Sequence, residues 1–415
     1  MTLPPPPGSA AALAGIRVID LADEFAAYAS RLLVDLGAEV IRVEPPGGSS
    51  VRRIAPIVAQ PDMPMLSTFD RFVNAGKRSV TIDTDDPEGI AILEQLLATA
   101  DIVIESSSPV LAPLGISSER LRELNPRIGQ VIVTPFGLDH LQHWAPANDL
   151  IVMGAGGLLH LGGYPDVGPV AAYGAQSRFA ASIFAAVAVM TALLQRDLTG
   201  TAGTYDVSAQ ECIAQALEDS AATYALTGRV RERQGDRPRE AGSGVYACKD
   251  GYVSMVAGRL GTAKAWSALV KWLNNEASPE AEALLEERWN EFEFRQSHEG
   301  IEDFARIFES FTRTRSKAEL YVEAQARGIA LSPVSTVEEV LGNEQLAFRD
   351  FFLTVRDTEF DRDLTYPRSP YSLSGTPTTD PRSAPRVGED NVAILIEELG
   401  VESDAYRSLV ERGVV

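Results

Sequence analysis

An open, mostly parallel α/β sheet followed by a second, smaller domain is the architecture predicted by this 415-residue sequence. Three observations carry that expectation. Aliphatic strand-like runs alternate with helical spacing between residues 16 and 134. A polar connector rich in Arg, with Asp236 within it, interrupts the chain at 229–239, and a new strand-and-helix pattern follows it. The composition, 45% hydrophobic and 23% charged, suits buried cores rather than disorder, and the length suits two or three domains.

In order, residues 16–20 (Ile-Arg-Val-Ile-Asp) predict a strand. Residues 25–36 predict a helix with Leu32, Leu33 and Leu36 on one side, and 38–44 a second strand. Such a βαβ unit implies a right-handed crossover and a parallel sheet. The alternation continues with a strand at 79–83, a helix at 86–98 with acids in its first turn, a strand at 102–105, a helix at 118–124 and a strand at 130–134. A long helix is expected over 176–195. Its alanine-rich run at 179–194 is short for a membrane span and reads as a buried helix. Past the connector come a strand at 251–256 and helices at 263–273 and 301–311. After Ser332-Pro333-Val334 the chain reads as loop-rich with many prolines, and it ends in an acidic helix over 390–399. No internal repeat is visible.

Bulk properties exclude several functions. A net charge of −21 argues against nucleic acid or an anionic membrane as a partner. An anionic ligand then requires a local basic site. Two cysteines, Cys212 and Cys248, make no disulfide framework and fit a reducing cytoplasm. Residues 1–9 are proline-rich without a basic n-region or long apolar run, which reads as a floppy leader rather than a signal peptide.

The first strand–helix turn, Leu21-Ala22-Asp23-Glu24-Phe25-Ala26, contains no glycine, so the dinucleotide fingerprint is missing. Gly154, Gly156, Gly157, Gly162 and Gly163 serve either close packing and turns or a loop that lets backbone approach a ligand. His140 and His143 lie three apart, with His160 further on, but no acid or cysteine at matching spacing completes a metal set, and none is expected. Cys212 sits in an apolar helical run and reads as core. No Gly-x-Ser-x-Gly elbow occurs.

A set of short motifs in a fixed order gives a more specific reading. They begin with Arg31-Leu32-Leu33-Val34-Asp35-Leu36-Gly37-Ala38-Glu39-Val40-Ile41-Arg42-Val43-Glu44-Pro45-Pro46-Gly47-Gly48 and Asn74-Ala75-Gly76-Lys77-Arg78-Ser79-Val80. Asn148-Asp149-Leu150-Ile151, Tyr173-Gly174-Ala175-Gln176-Ser177-Arg178-Phe179, and Thr199-Gly200 with Asp206-Val207-Ser208 follow. Asp250-Gly251-Tyr252-Val253, Ser332-Pro333-Val334, Glu338-Glu339-Val340 and Gly375-Thr376-Pro377 complete the series. Together they resemble the family III CoA-transferases, also called the CaiB/BaiF family, almost end to end. The resemblance implies a large Rossmann-like domain built from both ends of the chain (10–224 and 326–415) and a small α/β middle domain (225–325). It also implies an interlocked homodimer or heterodimer.

The family's chemistry moves CoA between carboxylates through an aspartate, by way of a mixed anhydride and an aspartyl-CoA thioester. The resemblance implies no permanently bound cofactor, with a CoA thioester as substrate. It sets Arg178 at the position of that aspartate. A guanidinium is cationic and has no usable lone pair at neutral pH, so it cannot attack a thioester. No Asp or Glu occurs between residues 167 and 196, so a slip of register restores nothing. Glu24 falls where some members carry a glutamine near the reacting acyl group. It is either a replacement acid or an exposed acid at a helix start. Asp149 is either a replacement acid or a cap. The family's racemases carry a histidine at Asn148 and a second acid at Arg178, so both members of that acid–base pair are missing.

The CoA-contacting positions implied by the resemblance are Glu24, Phe25, Arg52, Arg53, Asn74, Ala75, Gly76, Lys77, Ser107, Ser108 and Asn148. Lys77, Arg52 and Arg53 read equally as phosphate contacts or ordinary surface charges. Ser106-Ser107-Ser108-Pro109 replaces the family's Asn-Phe-Arg-Pro-Gly, and Pro113 replaces a nearby arginine, so phosphate binding is weakened or borrowed. Arg178 either binds a substrate carboxylate, fills a vacated pocket or pairs with a partner chain.

Three functions remain open from sequence. The favoured one is a subunit without its own nucleophile in a two-chain CoA-transferase, with succinyl-CoA among the donors. The second is a stand-alone acyl-CoA enzyme of altered chemistry using Glu24 or Asp149. The third is a CoA-ester-binding or structural scaffold.

Overall fold

The computed structural model describes residues 9–58, 66–106, 110–139, 141, 147–236, 238–258, 263–276, 278, 280–357, 359–380 and 382–415. The chain divides into two compact units. The first comprises the chain up to His160, Ala171–Arg231 and Gln345–Val415; the second comprises Leu161–Val170 and Glu232–Glu344.

The first unit is built on a six-stranded sheet. Its strands are β1 (Arg17–Leu21), β2 (Glu39–Glu44), β5 (Arg78–Thr81), β6 (Ile102–Ser106), β7 (Gly129–Thr134) and β8 (Thr204–Ser208). A two-residue ladder, β3 (Ile57–Val58) with β4 (Leu66–Ser67), lies outside it. The sheet order is β5-β2-β1-β6-β7-β8, and every pair is parallel. Counted within the sheet this is 3-2-1-4-5-6, the doubly wound order, with its reversal beside β1. Parallel strands buried on both faces read as unbroken aliphatic runs. Adjacent residues here point to opposite cores. Val18, Val40, Ile102 and Val131 face one cluster, whereas Ile19, Ile41, Val103 and Val80 face the other.

On the first face α1 (Ala27–Asp35), α5 (Asp149–Ala155), α7 (Gln176–Thr199) and α8 (Ala209–Gln215) supply core side chains, and Leu158 and Leu159 of the single turn α6 (Leu158–Leu161) pack against them; α2 (Thr68–Asn74) packs Val73 with Ala27 and Val51 in a separate small cluster, and α9 (Ser220–Thr227) buries no residue. On the other face α3 (Pro87–Ala98) and α4 (Ser118–Leu124) meet Ile394, Leu395, Leu409 and Val414 from the end of the chain. The C-terminal segment also closes the sheet edge. Asp390 donates its N–H to the Ser79 carbonyl at 2.9 Å and accepts the Ser79 N–H at 2.9 Å, and Asn391 accepts the Thr81 N–H at 2.9 Å. Side chains thereby supply the ladder partners that β5 lacks.

The second unit pairs β9 (Ser243–Cys248), β10 (Gly251–Val256) and β11 (Ala330–Pro333) antiparallel in the order β11-β10-β9. Its aromatic core comes mainly from α10 (Ala263–Asn275), the short α11 (Phe292–Gln296) and α12 (His298–Thr312), with α13 (Lys317–Ala326) beside them. The unit differs in extent from the 225–325 read in sequence. β11 pairs with β10, Val334 donates to the Tyr252 carbonyl at 2.9 Å, and Lys317 Nζ meets Glu339 Oε1 at 2.5 Å, which keeps residues 330–344 in this unit. Gly235 bonds the Gly163 carbonyl at 2.9 Å, which ties in 161–170.

The C-terminal region also departs from its sequence reading. It holds α14 (Val337–Leu341), α15 (Glu344–Phe348) and an antiparallel pair, β12 (Phe352–Asp357) with β13 (Arg362–Pro367). The stretch expected as a closing acidic helix over 390–399 is a π-type segment, Val392–Glu398, and the chain ends in α16 (Ser403–Arg412). Asn and Gly turn signals that mark most hairpins are missing between β12 and β13.

Candidate functional site

The turn after β1 lies at the carboxyl ends of the strands, beside the switch in strand order. Its shape follows from two carboxylates. Asp20 accepts the Ala22 N–H at 2.9 Å, and Asp23 accepts the Phe25 N–H at 3.1 Å. Asp23 also bonds Ser106 at the end of β6: its N–H donates to Oγ at 2.7 Å, and its Oδ1 accepts the hydroxyl at 2.5 Å. The Phe25 side chain is 1% exposed and belongs to the core. The CoA contact implied for Phe25 thus has only backbone to offer, and its carbonyl already accepts the Ser182 hydroxyl at 3.1 Å.

Facing this turn is the start of α7. Ala175, its N-cap, has no side-chain acceptor. Asp149 takes that role from α5, with Oδ1 2.8 Å from the Ser177 N and 2.6 Å from the Ser177 Oγ. Asn148 caps α5 by accepting the Ile151 N–H at 3.1 Å. Both residues satisfy helix-terminal donors.

Arg178 follows in the first turn of α7. Its Nη2 lies 2.8 Å from Glu24 Oε1, with the side chains 16% and 26% exposed. Its Cζ stands 5.9 Å from the Phe69 ring centroid, a cation–π distance. Its Nε is buried without an acceptor among the described residues. Tyr28 stacks on Phe72 at 5.4 Å and meets Phe179 edge-on at 5.1 Å, which builds an aromatic wall around the α1–α7 contact. A cation at a helix N-terminus opposes the macrodipole, and Glu24 offsets that charge. The structure therefore brings Glu24, Asp149 and Arg178 into one neighbourhood, with each acid already engaged: Glu24 holds Arg178, and Asp149 holds Ser177.

The basic candidates have a different fate. Lys77 is fully buried, and its ammonium donates to Asp20 Oδ2 at 2.7 Å, Asn74 Oδ1 at 2.8 Å and the Ala27 carbonyl at 3.0 Å. Those three acceptors use its three protons, so it is neither a surface charge nor a free phosphate ligand. Burial pushes its pKa down to about 8, against the pull of Asp20 and with a smaller push from Arg42. Asp20 is held below the usual carboxylate range: burial opposes ionisation, but Lys77, Arg42 and the Ser30 hydroxyl outweigh it.

Arg52 forms a fork on Glu44, Nε to Oε2 at 2.8 Å and Nη2 to Oε1 at 2.7 Å, and also meets the Pro385 carbonyl. Burial raises the Glu44 pKa, but the Arg52 hydrogen bonds and the Arg42 and Arg52 charges overcome it and hold the group at about 2. Asn74 bridges Arg42, Lys77 and Asp70. Ala75 is buried, and Gly76 takes a φ of +80°, which turns the chain between α2 and β5. Arg53 is exposed and makes no ion pair among the described residues. Ser107, Ser108, His140 and His143 lie outside the described residues. His160 is exposed. Burial pushes the Cys212 thiol up to about 11, which leaves it unreactive.

Sequence reasoning missed this internal salt network and the partner of Arg178. The only signal available was the concentration of charged residues in otherwise aliphatic strands, Arg42 and Glu44 in β2 and Lys77 beside β5.

Residues 13–391 match the family model described as CoA-transferase family III. The chain belongs to the CoA-transferase family III. Among its relatives is "Succinyl-CoA:(R)-benzylsuccinate CoA-transferase subunit BbsE" of Thauera aromatica, 36% identical and aligned over 96% of this chain and 97% of the relative. A "Succinate--glutarate CoA-transferase" of Agrobacterium fabrum is 29% identical over 95% of this chain and 97% of that protein. A solved CAIB/BAIF family protein from Brucella suis superposes with a TM-score of 0.81 at 25% identity, covering 94% of this chain and 99% of the other.

Proposed function

We propose that this family III chain is the non-catalytic subunit of a two-chain CoA-transferase, and that a paralogous chain supplies the nucleophilic carboxylate. One observation carries the reading. The position implied for the nucleophile holds Arg178, locked to Glu24 at 2.8 Å, while the nearby acid Asp149 caps the same helix. Among the described residues, no carboxylate at the start of α7 is left free to attack a thioester. The commitment of Arg52 and Lys77 to Glu44 and Asp20 supports the same reading, because neither cation is available to a CoA phosphate. The BbsE relative is by its name a subunit, which supports a partner chain. The names of both relatives above support succinyl-CoA or succinate as one side of the exchange and a second carboxylic acid as the other.

The test is co-expression. This chain is made alone and beside its nearest genomic paralogue, the species are weighed by native mass spectrometry, and CoA exchange from succinyl-CoA is assayed. We expect a one-to-one complex that turns over and an inert isolated chain. Turnover by the isolated chain, abolished by Glu24→Gln or Asp149→Asn, would replace this reading with a stand-alone enzyme. Acyl-CoA binding without turnover in either preparation would replace it with a scaffold.

A further inference from the structure

The rings of Tyr28, Phe69, Phe72 and Phe179 gather around the start of α7, and each is only half-buried. They belong to neither core of the sheet. Ala27, Val51 and Val73 form a small, fully buried cluster of their own, against which Tyr28, Phe69 and Phe72 pack. Tyr28 links the group: it stacks on Phe72 and meets Phe179 edge-on, while Phe69 lies under the Arg178 guanidinium. A partly covered aromatic cluster with one charged group at its rim has the composition of a small-molecule site.

Arg178 is incompletely satisfied within it. A guanidinium engages a carboxylate best through two parallel hydrogen bonds. Arg52 does so in this same chain, holding Glu44 by Nε and Nη2 together. Arg178 holds Glu24 by Nη2 alone, and its Nε is buried without an acceptor among the described residues. The two acids differ as well. The Glu44 side chain is fully buried, whereas that of Glu24 is 26% exposed and has water to turn into. An incoming carboxylate therefore gains the bond that Glu24 leaves unmade, and Glu24 gives up its place at little cost. No other acid competes from α7, because none occurs between residues 167 and 196, and Asp149 is held by Ser177.

We propose that Arg178 and these four rings bind a free carboxylic acid with an aryl tail. Its carboxylate replaces Glu24 on Nη2 and also accepts from Nε, and its ring joins the aromatic cluster. The acid is held and not activated, because the group beside it is a cation and not a nucleophile. All the residues involved belong to this chain, so the site does not depend on the two-chain reading.

The experiment is calorimetric titration of the full chain with 3-phenylpropionate, beside propionate, which lacks the ring, and 3-phenylpropan-1-ol, which lacks the carboxylate. The phenyl acid is expected to bind, and each control to bind more weakly by about 10-fold or more. Arg178→Gln should weaken the phenyl acid by a similar factor. Glu24→Gln should strengthen it about 5-fold, because the competing internal carboxylate is gone. Phe72→Leu should weaken the phenyl acid and leave propionate unchanged. No binding by the wild-type chain, equal binding of the alcohol, or binding indifferent to Arg178→Gln overturns the site. Weaker binding in Glu24→Gln overturns the exchange, because Glu24 would then be a ligand contact. Displacement of the phenyl acid by succinyl-CoA at lower concentration than by succinate overturns the free acid in favour of a thioester.

Discussion

Arg178 Nη2 and Glu24 Oε1 meet at 2.8 Å across 154 residues of sequence. The pair joins the turn after β1 to the first turn of α7, the two segments from which a family nucleophile and its neighbour are expected to approach a substrate. A cation stands where the resemblance implies a carboxylate, and an anion stands where some members carry a neutral glutamine. The two departures compensate each other in charge.

That compensation predicts coupling. Arg178→Asp alone sets a carboxylate against Glu24 and is expected to cost about 1–3 kcal/mol, whereas the same change in a Glu24→Gln background costs measurably less. Thermal melts of the two single variants and the double variant at low salt give the cycle. Equal costs in the two backgrounds would show that the pair contributes nothing.

Asp149 is expected to act through α7. Asp149→Ala removes the acceptor of both Ser177 donors and should cost about 1 kcal/mol, with Asp149→Asn recovering most of it. Hydrogen exchange at the Ser177 amide should accelerate in the alanine variant. Unchanged exchange there would mean that another group caps the helix.

Lys77→Met leaves the Asp20 carboxylate buried without its ammonium. The expected loss is about 3–5 kcal/mol, and less when Asp20→Asn accompanies it. Urea unfolding of the single and double variants decides the matter. A mild single variant, with CoA binding weakened in the assembled enzyme, would instead mark Lys77 as a ligand contact.

Glu44 predicts the acid limb of stability. Its pKa is about 2 in the folded chain, below the value near 4.5 when unexposed to its partners. The contribution is therefore complete above pH 4.5 and disappears as pH falls toward 2. A shift of this size is worth about 3 kcal/mol. Glu44→Gln should flatten the stability profile within that window, and a profile parallel to wild type would remove Glu44 from the explanation.

The sheet was largely legible in sequence because strand and helix periods are local. The aliphatic pairs Val18–Ile19, Val40–Ile41 and Ile102–Val103 announce strands buried on both sides, and the helix at 118–124 is found at the same residues. β12 and β13 were not legible, because alternation in a proline-rich region without an Asn-Gly turn does not distinguish a hairpin from a loop.

By itself, the sequence determined which chemical groups exist: a guanidinium at 178, no carboxylate from 167 to 196, and an alternating succession of strands and helices. These follow from residue identity and short-range periodicity. Only the tertiary structure decided what each charge does. Lys77 and Arg52 carry the same charge in solution as Arg53, yet the first two are enclosed by Asp20 and Glu44 while Arg53 faces water. Burial and pairing depend on which distant elements converge, and no local spacing encodes that convergence. The same holds for Glu24 and Asp149, whose partners Arg178 and Ser177 lie 154 and 28 residues away from them in the chain.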